Sequence, residues 1–155
     1  MILKDYHVHT TYCDGKSTAE ETVKAAISRG VHTLGFSGHS YTSFDTDYCM
    51  TPEKTEKYID EISFLKEKYG DRINILCGIE LDAYSDIDVS RFDYAIGSAH
   101  YIKKDGCYIP VDLSADTLFC AAAEHFGGDI YALTEAYYET VLLLKDKNID
   151  IIGHF

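Results

Sequence analysis

Five short strand-like runs alternate with longer helical patterns along this chain, and each run ends on, or within two residues of, a histidine or a glutamate. That alternation restricts the fold more than any other feature. The runs cover residues 5–10, 33–37, 73–81, 92–98 and 149–153. A helix starts at Ser17, where Ser17 and Glu20 form a capping box, and Gly30 supplies its stop. Val23, Ala26 and Ile27 make its apolar face. Thr51 opens a second helix with Pro52 in the first position; Ile59, Ile62 and Leu65 mark its buried side, and Gly70 ends it. Asp105-Gly106 reads as a hairpin turn, followed by helices over 114–126 and 129–147. Strands separated by helices call for a parallel sheet with helical crossovers. Periodicity alone leaves a closed barrel and an open sheet both standing.

The polar residues narrow the choice. His7 and His9 sit two apart on the first strand, and a strand has a period of two, so both rings face one side. His39 follows the second strand, Glu80 lies near the end of the third, His100 follows the fourth and His154 the fifth. Taken singly, each reads as a satisfied loop or core polar group. Glu80 is the exception, because a carboxylate at the end of an apolar strand is costly to bury unless paired or metal-bound. The repetition points to a multinuclear metal site. In a (β/α) barrel the C-terminal strand ends converge on one face, whereas in an open sheet they spread along an edge. Gly38, Gly78, Gly97 and Gly153 relieve crowding beside these positions. His32 and His125 lack this setting and read as structural or surface histidines.

At these residues the chain resembles the PHP (polymerase and histidinol phosphatase) family. Asp5-Tyr6-His7-Val8-His9-Thr10 is similar to its first motif, and Asp14-Gly15 to the segment that supplies a further ligand. Ser37-Gly38-His39, Gly78-Ile79-Glu80, Gly97-Ser98-Ala99-His100 and Ile152-Gly153-His154-Phe155 resemble the later motifs, in order. The Gly-Ile-Glu-Leu-Asp setting is most similar to the histidinol phosphatase branch. The resemblance implies an α/β fold, a distorted (β/α)7 TIM-like barrel, and a cluster of two or three divalent metal ions (Zn, Mn or Fe). By resemblance, His7, His9 and Glu80 hold one ion. Glu80 bridges to a second, shared with His100 and His154, and Asp14 and His39 reach a third. Glu80, His39 and His100 are then the catalytic residues. Asp14 also reads simply as the turn residue of Asp-Gly.

The family also closes its site with a late Asp-x-His pair, and none follows His154 in these 155 residues. A (β/α) barrel usually takes ~250 residues. The expectation is one PHP domain over 1–155, the N-terminal two-thirds of a barrel, either truncated or completed by another polypeptide. An unpaired barrel edge favours self-association.

The implied reaction is metal-assisted hydrolysis of a phosphomonoester, with L-histidinol phosphate, from histidine biosynthesis, the expected small phosphorylated substrate. Tyr12, Tyr41, Phe44, Tyr48 and Tyr101 fall in strand-end loops and are candidates to line its pocket. Cationic residues to grip the phosphate are not evident near the motifs. Cys13 reads as a packing residue with nothing nearby to activate it. Two further readings are a nucleotide or oligonucleotide phosphoesterase and a catalytically inactive metal-binding domain. Against the first stand 26 acidic and 14 basic residues, a net charge of −12 that repels long nucleic acid and anionic membranes. An odd count of five cysteines without a C-x-x-C pair argues for reduced thiols and a cytoplasmic location rather than a disulfide framework. The first residues lack the basic start and long apolar run of a signal peptide.

Overall fold

The computed structural model describes residues 2–155. Its main sheet has five parallel strands: β1 (Leu3–Val8), β2 (Val31–His39), β3 (Asn74–Asp82), β4 (Tyr94–Ser98) and β7 (Ile151–Ile152), in the order β1-β2-β3-β4-β7. The crossovers run through α1 (Ala19–Ser28), α2 (Pro52–Tyr69) and, between β4 and β7, α3 (Ala115–His125) and α4 (Ile130–Leu142). A separate antiparallel hairpin, β5 (Tyr101–Lys104) with β6 (Cys107–Pro110), extends from the end of β4. Asp105 and Gly106 at its tip both have positive φ, 52° and 83°, as a tight primed turn requires.

The helix signals are close to their expected places. Thr51 caps α2 by accepting from the Lys54 N–H, with Pro52 in the first turn. On α1 the capping box exists, but one residue later than expected: Thr18 accepts from the Glu21 N–H, and the Glu21 carboxylate accepts from Thr18. Ser17 and Glu20 have the same spacing. Glu20 turns instead to Lys24, Lys68 and Tyr69, and those partners set the start of the helix.

The core lies between one face of the sheet and the first two helices. Val23 and Ala26 of α1 and Tyr58, Ile62 and Leu65 of α2 pack on Leu34, Phe36, Ile75, Cys77 and Ile79. Ile59, expected on the buried side of α2, is only partly buried, and Tyr58 takes the central position with its hydroxyl donating to the Gly78 carbonyl. The other face carries the ligand-type residues. Just below them Tyr94 fills the space left by Gly35 and Gly78. A Cβ on Gly78 would lie 2.2 Å from that ring and one on Gly35 2.4 Å from its hydroxyl.

The sheet is strongly curled. His7 at the end of one edge strand and His154 just after the other have ring centroids 5.7 Å apart. Four strand spacings in a flat sheet would separate the strands by ~19 Å. The result is a curled half-barrel, an α/β fold in which the strand ends converge. Ile151 and Ile152 stay exposed along the β7 edge and Leu3 along β1. No helix among the described residues is long and apolar enough to cross a membrane.

Candidate metal centre

Glu80 stands at the focus. It is fully buried, and its strand register places it directly beside His39. Five imidazoles surround its carboxylate. His7 Nε2, His9 Nε2 and His39 Nδ1 each lie 3.1 Å from Oε2, while His100 Nε2 and His154 Nε2 lie 3.3 and 3.2 Å from Oε1. Yet neither oxygen of Glu80, nor His39 Nδ1, makes a hydrogen bond of acceptable geometry. Buried polar atoms are rarely left so.

This pattern fits a metal ion. Ligand atoms held ~2.0–2.2 Å from a shared ion stand about 3–3.5 Å apart around it, without a proton between them. Three sets have ligand atoms all within 4.8 Å of one another: His7, His9 and Glu80; His9, Asp14 and His39; and His39, Glu80 and His100. These sets hold six of the seven residues singled out in the sequence. His154 stands at the rim, half exposed, and meets the cluster through Glu80 Oε1. Asp14 accepts from His9 Nδ1 at 2.8 Å and lies 3.6 Å from His39 Nε2. His32 and His125 stay outside, beside Thr33 and Asp105.

The local backbone explains the convergence. The β1–β2 register shifts between Asp5 and Val8, a bulge-like irregularity that re-aims side chains. His7 and the residue just past the strand, His9, thereby reach the same carboxylate oxygen. Gly15 lets the 10–15 turn fold back under His9, since a Cβ there would lie 2.4 Å from the Thr10 nitrogen.

Charge is distributed unevenly. Burial opposes ionisation of Glu80, but the surrounding histidines hold its carboxyl far below the usual carboxylate range. Burial pushes His39 down to about 4, leaving it a neutral imidazole. Burial would also lower His100, but Asp82 and Glu80 raise it to about 9. His9 is likewise raised, to about 11, against burial, by Cys13, Glu80 and Asp14. Cys13 is half-buried and packs against the core, as expected, but its surroundings also act on the thiol. Burial would raise its thiol, but His9 and the backbone at Thr10 and His39 bring it below its ordinary value.

The loop between β2 and α2 covers the cluster. The Tyr48 ring lies 4.8 Å from His39, Tyr101 donates to Asp45, and Phe44 stacks on Tyr108 of the hairpin. A cavity of about 380 Å³ opens between loop and hairpin, lined in part by Asp14, His39, Asp45, Tyr48, His100 and Tyr101. Of the candidate aromatics, Tyr48 and Tyr101 line it. Tyr12 packs on Tyr58, and Tyr41 lines a separate cleft beside α2. No lysine or arginine is among the lining residues. Asp82 was missed in the sequence, although its signal was present: it follows Glu80 by two on the same strand.

Residues 5–155 match the PHP domain. The chain belongs to the PHP-domain family. Among curated relatives, the histidinol-phosphatase of Bacillus subtilis is 28% identical over 91% of this chain and 59% of its own length. The DNA polymerase/3'-5' exonuclease PolX of the same organism is 28% identical over 64% of this chain and 18% of its own. The crystal structure of histidinol phosphate phosphatase from Lactococcus lactis, complexed with Zn, L-histidinol and phosphate, superposes with a TM-score of 0.69 at 22% identity. That match covers 98% of this chain and 57% of the other. The chain spans about half to three-fifths of the length of the first curated relatives it matches.

Proposed function

We propose that this PHP-family chain is the metal-binding part of a phosphomonoester hydrolase that acts on L-histidinol phosphate. The observation that carries the reading is the buried Glu80 carboxylate, ringed by five imidazole nitrogens at 3.1–3.3 Å with no hydrogen bond to either oxygen. His7, His9, Asp14, His39, Glu80, His100 and His154 would hold two or three divalent ions, with Glu80 as the shared ligand. Bound ions of this kind supply Lewis acidity and a water acidified toward neutrality.

The chain's own residues contribute the rest. Glu80 brings a permanent negative charge to the centre, and His39 is neutral and so ready to donate a lone pair. Asp14 accepts from His9 Nδ1 and turns Nε2 toward Glu80. Tyr48 and Tyr101 wall the cavity. Asp45, Asp47 and Asp112 line the same cavity without a lysine or arginine. A phosphate dianion entering there needs positive charge at the centre itself, which agrees with a metal-dependent rather than an arginine-clamped reaction. We also propose that the half-barrel is part of a (β/α)7-like closed form, as the greater length of the relatives suggests.

The test is phosphate release from L-histidinol phosphate by zinc- or manganese-loaded protein, with single-stranded DNA as the comparison substrate. Release from histidinol phosphate that disappears with chelator supports the reading. Metal binding at full stoichiometry without turnover on either substrate removes the catalytic claim for this chain.

A further inference from the structure

Asp82 is the last residue of β3, two beyond Glu80 and so on the same face of the strand. It is almost fully buried, with 2% of its surface exposed. A carboxylate in such a place needs donors, and it has three. Oδ1 accepts from the Tyr84 N–H at 2.8 Å, and Oδ2 accepts from the His100 backbone N–H at 3.2 Å. The third partner is the His100 ring: Nδ1 lies 3.1 Å from the same Oδ2. Ser40 Oγ accepts from the Asp82 backbone N–H at 3.0 Å, which ties the strand end to the loop that covers the site.

A carboxylate can only accept, so the nitrogen facing Asp82 carries the proton of a neutral His100. The other nitrogen, Nε2, then turns its lone pair to the centre, 3.3 Å from Glu80 Oε1. Without a partner at Nδ1, the favourable arrangement reverses. A proton on Nε2 would be donated to Glu80, and that one bond would consume both a ligand lone pair and a carboxylate acceptor. We propose that Asp82 is a positioning residue that fixes the tautomer and ring orientation of His100 for a divalent ion. The inference rests on the metal-centre reading of the cluster.

Asp82 is not itself placed to be a ligand. Its side chain is 3% exposed, and its oxygens belong to none of the sets of mutually close ligand atoms. Asp14 orients His9 in a comparable way but is 48% exposed and also faces His39. Asp82 faces His100 alone among the histidines, so its loss has a single histidine to act through.

Two measurements decide the matter. The first is the His100 tautomer in the metal-free wild-type chain, read by long-range nitrogen–carbon-proton NMR correlations in alkaline solution where the ring is neutral. The expected result is a proton on Nδ1; a proton on Nε2 overturns the proposal. The second is zinc affinity, by competition with a chromophoric chelator, for wild type, Asp82→Ala and Asp82→Asn. Loss of an outer partner of this kind typically costs about 10–100-fold in metal affinity. Asp82→Ala should fall in that range, and Asp82→Asn, whose amide oxygen still accepts from Nδ1, should recover most of it. A folded Asp82→Ala chain that binds zinc like wild type overturns the proposal. If Asp82→Ala fails to fold, the wild-type tautomer and Asp82→Asn decide. A wild-type chain that binds no zinc while His100 keeps its proton on Nδ1 sinks the metal-centre reading but supports the role of Asp82 in fixing the ring.

Discussion

At the scale of single residues, the centre depends on protons as much as on positions. A histidine that binds metal must be neutral. In the metal-free chain His100 is raised to about 9 and His9 to about 11, so both carry a proton at neutral pH. Metal binding must expel these protons, and affinity should therefore rise with pH from neutrality through about 9. Calorimetric titration with zinc in buffers of different ionisation enthalpy would show the release; an apparent enthalpy independent of buffer would contradict it. His39, already neutral because burial pushes it down to about 4, should release none near neutrality. Glu80 is the residue whose change should cost most. Glu80→Gln keeps the shape but removes the charge shared by the histidines. Zinc affinity should drop by more than ~100-fold, the upper end of what an outer-sphere partner alone supplies. Elemental analysis after gel filtration reads that loss directly.

At the scale of elements, the Tyr94 ring packs on the sheet just beneath the centre, and glycine makes the room for it. Gly78 lies on β3 two residues before Glu80, and a Cβ there would meet the Tyr94 ring at 2.2–2.7 Å. The ring cannot swing aside freely, because its hydroxyl lies within hydrogen-bonding distance of the Tyr6 and Phe36 carbonyls. Gly78→Ala should therefore destabilise the chain by about 1–3 kcal/mol, as overpacking of a tight core does, measured as a shift in urea midpoint. It should also weaken metal binding by moving Glu80. The cap of α1 gives a contrasting case. Thr18→Ala removes the acceptor for the Glu21 N–H and should cost about 1 kcal/mol with metal affinity unchanged, because Thr18 touches no residue of the cluster.

At the scale of the whole molecule, ions in the centre would tie together residues from both edges of the sheet, His7 from β1 and His154 beyond β7. Binding to the folded state alone should stabilise it by about 2.7 kcal/mol when free zinc reaches ~100 times its dissociation constant. A chelator-reversible rise in melting temperature would show this, and an unchanged melting curve would mean that the edges are not coupled through the centre. Much of this arrangement was legible in the sequence. Local chemistry specifies the strand–helix alternation, the Thr51-Pro52 start of α2, the Asp105-Gly106 turn, and the placing of a ligand-type residue at each strand end, because caps, turns and period-two faces depend on near neighbours. The start of α1 was misread by one residue, since long-range partners of Glu20 on α2 decide between two equal boxes. The partners of Asp82 and the choice between open sheet and curled half-barrel were not decided locally. The sequence by itself determined which residues stand as candidate metal ligands and in what order along the strands. Only the tertiary structure decided that they meet around one carboxylate, because curl is a property of packed strands and no single segment contains it.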